Sequence, residues 1–321
     1  MNIVSLEEAA NLLQHDKVVA IPTETVYGLA ANAFSETAVN RVFETKGRPS
    51  YNPLIVHIAS LEQLKPLVTE LPERAQIFAQ AFWPGPLTLL LPKSDQVSDR
   101  ITAGKPTVAV RMPKHPVALA LLNRLDFPLV APSANRFKHI SPTRPEHVSN
   151  SLGDQVAILD GGTCTVGLES TIVGFDTSGT PVVFRQGSIE LERLRQIDPE
   201  TYILEQTEDT LSFHAPGMDK RHYAPRTPLL VVASISAHLG SSNPELRFGI
   251  IEHKKGTIQA EAHEVRHLSD HGDLSQMAEK LYSVLHELDT LELDYLLIEP
   301  FDSTGLGRTL NDKIRRASAV D

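Results

Sequence analysis

Short runs of Val, Ile and Leu alternate with segments of helical spacing over the first 185 residues, and this alternation constrains the fold more than any other feature. The runs have the length of buried strands and occupy residues 18–21, 54–58, 87–91, 108–110, 129–131, 157–159, 172–175 and 182–184. Helical spacing lies between them at residues 35–44, 72–82, 116–125 and 143–152, the first with Ser35 in the N-cap position. Strands that alternate with helices predict an α/β domain built on a large, at least partly parallel sheet.

A second, smaller α/β domain is predicted after a tract of weak apolar periodicity at residues 198–226. Beyond this tract, strand-like runs return at residues 229–233, 248–251 and 295–298, with helical spacing at 274–288 and 306–319. We therefore predict a first α/β domain at residues 1–199, an interdomain linker at 200–227 and a smaller, Rossmann-like α/β domain at 228–321. A chain of 321 residues is long enough for two separate cores.

Composition narrows the classes of function. Lysine and arginine total 30 against 40 acidic residues, and the formal charge of −10 disfavours a broad nucleic-acid-binding face, so any phosphate site must be a local basic pocket. The single cysteine, Cys164, leaves no internal disulfide and no multi-cysteine zinc site. No uncharged stretch approaches the ~18 to 20 residues that span a bilayer, and no signal-peptide pattern is present at the N-terminus. We expect a cytoplasmic protein without a membrane partner.

Four cations lie where an anion could bind. Lys46 and Arg48 flank a glycine at the end of a helical segment, and turn residues then lead into the run at 54–58. Such a loop suits phosphate oxygens, although a solvated helix C-terminus would explain the same pair. Arg111 and Arg185 each end an apolar strand, where ligands of open α/β sheets gather. Each arginine alone could equally be an ion-pair partner, but together the four cations predict a basic pocket.

Hydroxyl and amide side chains also border the predicted strands. They could bind sugar hydroxyls, phosphates or amino-acid termini, and they are Thr23, Thr25, Ser133, Asn135, Ser141, Ser170 and Thr171. Helix capping explains each of them as well, and Ser141 or Thr143 could cap the segment at 145–152. The sequence contains no Walker A loop, no dinucleotide-binding glycine fingerprint, no nucleophile elbow and no zinc-protease helix motif.

Histidine is frequent in the C-terminal part of the chain. The residues concerned are His253, His263, His267, His271 and His286. Their spacing matches no known metal motif, so we expect solvated surface histidines rather than metal ligands.

Eight sequence blocks in the first 187 residues, taken in order, resemble one enzyme family. They are PTETVYGL at 22–29, KGRP at 46–49, NPLIVH at 52–57, WPGPLT at 83–88, VAVRMP at 108–113, APSAN at 131–135, LESTIV at 168–173 and RQG at 185–187. As a set they resemble the YrdC-type threonylcarbamoyl-AMP synthase family. PGM at 216–218, RHYAP at 221–225 and the stretch 305–319 resemble its long form, which has an added C-terminal domain.

The resemblance implies a twisted α/β sheet that encloses a basic cavity. It also implies a nucleotidyltransferase that condenses L-threonine, bicarbonate and ATP, with Mg²⁺ carried by ATP, to threonylcarbamoyl-AMP and pyrophosphate. A partner transferase would then pass the threonylcarbamoyl group to a tRNA adenosine, with tRNA itself at most a weak partner. We expect no protein-bound metal site.

The same resemblance implies roles for individual residues. Those expected to face ATP are Lys46, Arg48, Asn52, Ser133, Asn135, Ser141, Arg185 and Tyr223. Those expected to hold threonine are Thr25, His57, Thr107, Arg111, Ala131, Ser170 and Thr171. Charge stabilisation during catalysis would fall to Lys46, Arg48 and Arg111.

One segment departs from the family pattern, and two other functions compete with the synthase. Phe137-Lys138-His139 stands where the family commonly has a small residue or glycine, so the approach of this loop to the nucleotide, and with it the role of Ser141, is open. An RNA-binding module of the same pathway is one alternative, which the acidic charge disfavours. A carbamoyltransferase acting on another acceptor is the second, although the short C-terminal domain leaves little room for extra transferase regions.

Overall fold

The structure is a computed structural model that describes residues 1–204, 216, 220–258 and 262–319. The chain divides into two compact units. The first comprises Met1–Phe137, Pro142–Thr165 and Glu169–Met218, and the second comprises Lys138–Ser141, Val166–Leu168 and Asp219–Asp321. Two short segments from the middle of the chain, 138–141 and 166–168, therefore belong to the second unit.

The first unit contains one mixed sheet with eleven strands among the described residues, in the order β1-β8-β2-β3-β7-β4-β6-β5-β9-β10-β11. The strands are β1 (Asn2–Val4), β2 (Val19–Ile21), β3 (Gly28–Asn32), β4 (Ile55–His57), β5 (Leu87–Pro92), β6 (Thr107–Arg111), β7 (Leu129–Val130), β8 (Ala157–Leu159), β9 (Thr171–Phe175), β10 (Pro181–Arg185) and β11 (Tyr202–Ile203). β4 and β5 each pair in parallel with one neighbour, β6 and β9 respectively, whereas β5 and β6 run antiparallel.

Helices cover both faces of this sheet. They are α1 (Leu6–Gln14), α2 (Glu36–Lys46), α3 (Leu61–Leu64), α4 (Glu73–Phe82), α5 (Asp99–Thr102), α6 (Pro116–Leu122), α7 (Pro145–Leu152) and α8 (Leu191–Ile197). The predicted cap is confirmed, because the Ser35 side chain accepts a hydrogen bond from the backbone N of Ala38 at 3.2 Å. Alternation along a strand separates two cores: Val56 packs into the large one, while Ile55 joins a small cluster on the opposite face.

The second unit contains four parallel strands in the order β12-β15-β13-β14. Its strands are β12 (Leu229–Val231), β13 (Phe248–Lys254), β14 (Glu264–Ser269) and β15 (Tyr295–Ile298), and its helices are α9 (Ile235–Ser241), α10 (Leu274–Leu288) and α11 (Gly305–Ala317). The predicted α/β class is confirmed for both units. No helix in the described part of the chain is both long and apolar enough to cross a membrane.

The sequence patterns did not predict four strands, β1, β3, β11 and β14. β3 is built mainly from Gly28, Leu29 and two alanines, which pack tightly but do not stand out as a strand. β14 alternates charged and apolar side chains and leaves Val265 exposed. Half of the predicted linker at 200–227 lies outside the described residues, which in this range are 200–204, 216 and 220–227.

The expectation of solvated histidines is wrong for two of the five. The His253 ring is half-buried, stacks on Phe301 with 4.0 Å between centroids, and its Nε2 lies 2.9 Å from the carbonyl oxygen of Glu299. His286 on α10 is largely buried, and its Nε2 donates to the carbonyl oxygen of Ser141 at 3.1 Å. Burial lowers the pKa of His286 to about 4, so its imidazole is neutral at pH 7.

We predict that His286 makes stability depend on pH. Its folded-state pKa of about 4 lies below the unfolded value of ~6.5, so the unfolded chain binds more protons between these pH values. The free energy of unfolding should therefore fall as pH drops through this window, by up to about 1.4 kcal/mol per pH unit. His286→Gln should flatten the dependence in thermal unfolding followed from pH 7 to pH 4. The exposed His263→Gln is the control, and equal slopes in both variants would contradict the prediction.

Candidate functional site

Polar side chains of the first unit form a row across five neighbouring strands. In register, His57 of β4 faces Arg111 of β6, Arg111 faces Thr88 of β5, Thr88 faces Ile172 of β9, and Ile172 faces Arg185 of β10. Because side chains alternate along a strand, His57, Arg111 and Thr88 extend the sheet face that carries the small apolar cluster. The row thus places His57, Arg111 and Arg185 on one line across the sheet, with His57 next to Arg111 and Arg185 three strands away from it.

Arg111 is the most constrained cation of the row. Its Nη1 donates to Thr25 Oγ1 at 2.8 Å, its Nε donates to the carbonyl oxygen of Gly85 at 3.3 Å, and its Nη2 lies 2.6 Å from Glu24 Oε1. The Thr23 hydroxyl donates to the carbonyl oxygen of Val26, so the Thr25 hydroxyl is the donor in its 2.8 Å bond to Thr23 Oγ1. This polarised chain fixes the orientation of the guanidinium group.

His57 is a neutral imidazole beside Arg111. Burial and the nearby Arg111 charge lower the pKa of His57 to about 3, whereas its bond to Ile55 acts in the opposite direction. Nδ1 lies 3.3 Å from the carbonyl oxygen of Ile55 and carries the proton in the tautomer that satisfies this acceptor. Nε2 is then the acceptor nitrogen, which suits a substrate hydroxyl or amine.

Arg185 is tied to Ser170, the residue immediately before β9, and to Pro216. Its Nη2 donates to the Ser170 carbonyl oxygen at 2.9 Å and to Ser170 Oγ at 3.0 Å, and its Nη1 donates to the Pro216 carbonyl oxygen at 3.2 Å. Ser170 Oγ also lies 2.7 Å from Thr88 Oγ1. Thr171 takes a structural part, because its hydroxyl donates to the carbonyl oxygen of Ile189 and accepts from the backbone N of the same residue.

Lys46 and Arg48 are buried, so the alternative of a solvated helix C-terminus is wrong. Lys46 ends α2 with 3% of its surface exposed, and its Nζ donates to the carbonyl oxygens of Ser133 and, at 2.6 Å, Asn135. Burial and the neighbouring Arg48 hold the pKa of Lys46 well below its usual range. Arg48 Nη2 donates to Asn52 Oδ1 at 2.6 Å. Among the expected nucleotide residues, Lys46 therefore contacts Ser133 and Asn135, and Arg48 contacts Asn52.

The segment at 131–135 lies beside the block at 22–29. Ala131 N donates to the carbonyl oxygen of Ile55 at 3.0 Å, and Ser133 forms an antiparallel bridge with Gly28. A side chain at Gly28 would come within 3.0 Å of the Ala131 methyl group, so the glycine permits this close approach. The backbone of Ala131 thus runs alongside β4, the strand that ends at His57.

Ser141 and Tyr223, both expected at the nucleotide, belong to the second unit. Capping does not explain Ser141 or Thr143, because α7 has Arg144 at its N-cap without a side-chain hydrogen bond. Tyr223 is fully buried with a left-handed φ of 64°, its ring stacks on Tyr282 with 5.6 Å between centroids, and Lys313 Nζ lies 4.9 Å from the ring centroid. Tyr223 therefore packs within the second unit.

Thr107 is separated from the other residues expected to hold threonine. It begins β6 and pairs with Pro92, whereas Arg111 ends the strand, so at ~3.3 Å per residue they lie about 13 Å apart. Thr107 instead lines a cavity of about 620 Å³ together with Leu90, Arg74 and Phe184. The structure does not bring Thr107 to Arg111.

Sequence reasoning missed three residues that shape the site. Glu24 and Thr88 lie within quoted blocks but were not singled out, because nothing in a single sequence shows that one pairs with Arg111 and the other with Ser170. Gly187 was seen only as part of RQG. By contrast, Cys164 is inert: burial raises the pKa of its thiol to about 12.

No cluster of three or more His, Cys, Asp or Glu side chains that could hold a metal occurs within the described ranges. The site is instead rich in cations and neutral hydrogen-bonding groups. This donor set suits phosphates and carboxylates rather than a dedicated metal centre.

Two family models match the chain. Residues 11–187 match the Sua5–YciO–YrdC family, whose description reads telomere recombination. Residues 189–319 match the Sua5 C-terminal family, described as the C-terminal domain of threonylcarbamoyl-AMP synthase.

Individual proteins resemble this chain over nearly its full length. The threonylcarbamoyl-AMP synthase of Pyrococcus abyssi is 42% identical, with 97% of this chain and 93% of that protein covered. The threonylcarbamoyl-AMP synthase of Bacillus subtilis is 39% identical, with 99% and 94% covered. The crystal structure of P. abyssi Sua5 complexed with L-threonine has a TM-score of 0.88 at 40% identity, covering 99% of this chain and 96% of that chain. This likeness confirms the expected YrdC-like fold with a C-terminal α/β domain.

We predict that Gly187→Ala disrupts the Ser170 side of the site. An added Cβ would collide with the backbone N of Thr171 and approach the carbonyl oxygen of Glu169 to 2.5 Å, and these backbone atoms cannot rotate away. The free energy of unfolding should fall by about 1 to 3 kcal/mol. Gly240→Ala in α9 is the matched control, because its Cβ meets nothing within 4 Å and alanine favours a helix. Urea unfolding of both variants measures the difference, and equal stabilities would contradict the prediction.

Proposed function

This chain belongs to the Sua5–YciO–YrdC family, and from this membership we propose that it is a threonylcarbamoyl-AMP synthase. The reaction joins L-threonine, bicarbonate and ATP into threonylcarbamoyl-AMP, with release of pyrophosphate and water. The product serves a downstream transferase that modifies a tRNA adenosine. We place the enzyme in the cytoplasm.

The burial of four cations in an acidic chain carries this proposal. Lys46, Arg48, Arg111 and Arg185 each have less than 9% of their surface exposed, although the protein has a formal charge of −10. Burying a charge is costly unless a partner compensates it, and anionic groups of a small substrate are such partners. The phosphates of ATP and the carboxylate of an amino acid match cations of this kind.

Arg111 is the proposed ligand of the threonine carboxylate. Its guanidinium group is held by Thr25 and Gly85, so it can present a fixed fork to a planar carboxylate. The neutral His57 beside it offers an acceptor to the threonine hydroxyl or amine. The proposed threonine set is Thr25, His57, Thr107, Arg111, Ala131, Ser170 and Thr171, in which Thr107 has the weakest support because of its position.

Lys46, Arg48 and Arg185 are the proposed ligands of the ATP phosphates. A carbamate oxygen on threonine forms the new bond to the α-phosphorus of ATP, and the bond from that phosphorus to the pyrophosphate oxygen breaks. Negative charge then grows on the departing pyrophosphate, which these cations stabilise. The proposed ATP set is Lys46, Arg48, Asn52, Ser133, Asn135, Ser141, Arg185 and Tyr223. Mg²⁺, which we propose is carried by the ATP phosphates, would add to this charge neutralisation.

We also propose the domain limits 1–199 and 228–321, with a linker at 200–227 that closes over the nucleotide through Tyr223. Exclusion of water supports this role physically, because carbamates lose carbon dioxide readily and closure would protect one. Half of the linker lies outside the described residues, so the proposal rests on family resemblance.

The two competing functions have less support. An RNA-binding module would need exposed cations to meet a phosphate backbone, whereas the four cations of the site are buried. For the carbamoyltransferase, two relatives at 42% and 39% identity are both named threonylcarbamoyl-AMP synthase, which favours the synthase.

We predict pyrophosphate release only when threonine, bicarbonate, ATP and Mg²⁺ are all present. Arg111→Lys should raise the threonine KM by about 10- to 100-fold, because lysine keeps the charge but loses the bidentate fork. The ATP KM should change much less. Absence of release with the complete mixture would refute the proposed function, and an unchanged threonine KM would refute the role of Arg111.

We predict that Lys138→Gly raises the ATP KM about threefold without loss of stability. Lys138 adopts a left-handed φ of 69°, which glycine tolerates better than lysine. The relief of backbone strain in the folded state should offset the greater conformational entropy that glycine gives the unfolded chain. The lost positive charge is then the main change. Steady-state kinetics and thermal unfolding separate the two effects. An unchanged ATP KM in a stable variant would show that Lys138 does not contact the nucleotide.

A further inference from the structure

Glu24 is a buried carboxylate that the proposed reaction does not yet use. It belongs to the segment between β2 and β3, has 5% of its surface exposed, and lies beside Arg111 with 2.6 Å between Oε1 and Nη2. The contact is short, but its angles do not meet those of a hydrogen bond. Among the described residues, no hydrogen-bond partner is found for either carboxylate oxygen of Glu24 or for Nη2 of Arg111.

The pair therefore keeps unused donors and acceptors next to each other. A carboxylate accepts up to about four hydrogen bonds and a guanidinium donates five, of which Arg111 gives one each to Thr25 and Gly85. A buried ion pair is stabilising only when further hydrogen bonds satisfy its remaining atoms. Burial without such bonds is costly, so the arrangement favours a ligand that supplies them.

The ligand that complements this pair carries opposite charges on neighbouring atoms. The α-carboxylate and the α-ammonium of an amino acid are attached to the same carbon, so they can reach adjacent cationic and anionic side chains together. We propose that Glu24 binds the α-ammonium of the amino-acid substrate while Arg111 binds its α-carboxylate. This inference rests on the proposed function, because it takes Arg111 as the carboxylate ligand.

A positioning role is the main rival interpretation. Glu24 could hold Arg111 in place without touching the substrate, much as Thr25 and Gly85 do. Glu24 would then matter equally for every carboxylate ligand, whether or not that ligand has an amine. A direct contact with the ammonium group matters only for ligands that carry one, and this difference separates the two roles.

The experiment measures binding of two ligands to the full chain by isothermal titration calorimetry. L-threonine has both charged groups, whereas 2,3-dihydroxybutyrate of the same configuration has a hydroxyl in place of the ammonium. Glu24→Gln keeps the size of the side chain and removes its charge. Glu252→Gln is the matched control, because Glu252 is equally buried but belongs to the second unit, where it accepts from Gly256 N and Ile258 N.

Glu24→Gln should weaken threonine binding by about 10- to 100-fold, the range for a lost hydrogen bond to a charged group. Binding of 2,3-dihydroxybutyrate should stay within about twofold of wild type or improve, and Glu252→Gln should change neither affinity. Equal weakening of both ligands would overturn the proposal in favour of positioning. Unchanged threonine affinity in Glu24→Gln would also overturn it.

Two further measurements keep the result interpretable. If Glu24→Gln fails to fold, Glu24→Asp retains the charge at a shorter reach and should weaken threonine alone by a smaller factor. The wild-type chain itself should prefer threonine to 2,3-dihydroxybutyrate by at least about tenfold, and equal affinities would overturn the inference. Wild-type protein that binds no threonine would instead refute the proposed function.

Discussion

The burial of positive charge is the constraint on which the site of the first unit depends. Lys46 and Arg185 give up most of their contact with water, and their described partners are largely carbonyl and hydroxyl oxygens rather than carboxylates. Neutral partners compensate the lost hydration without cancelling the charge, so the site keeps its attraction for anions. Arg111 differs because it faces a carboxylate, and that difference suits a zwitterionic ligand in place of a phosphate.

Neutral partners of this kind must be backbone groups held at close range, which explains the role of tight turns and small residues around the site. Gly28 lets Ser133 approach β3, and Gly187 lets its chain run against the backbone of residues 169–171. Strand register then sets the spacing of the side chains across the sheet. A one-residue slip in β6 would turn Arg111 to the opposite face, into the large core where Val110 now packs.

Sequence patterns predicted the elements that contain a continuous apolar run or a clear helical period, such as β5, β9 and α10. They failed at β3, where alanine and glycine replace branched side chains, because close packing between strands leaves no periodic signal. For the site, the blocks supplied most candidate residues but not their pairing. The contact of Glu24 with Arg111 depends on how β6 is placed against the segment at 22–29, which is a property of the sheet rather than of either block.

In the second unit, one helix, α10, contacts both Tyr223 and Ser141. Tyr282 and His286 are one helical turn apart on α10, so both lie on the same side of that helix. Tyr282 stacks on Tyr223, and His286 bonds the Ser141 carbonyl oxygen. The helix that buries Leu281 and Leu285 in the unit's core therefore also fixes both residues that this unit contributes to the proposed nucleotide set. Loosening α10 would weaken the packing of Tyr223 and the hydrogen bond to Ser141 together.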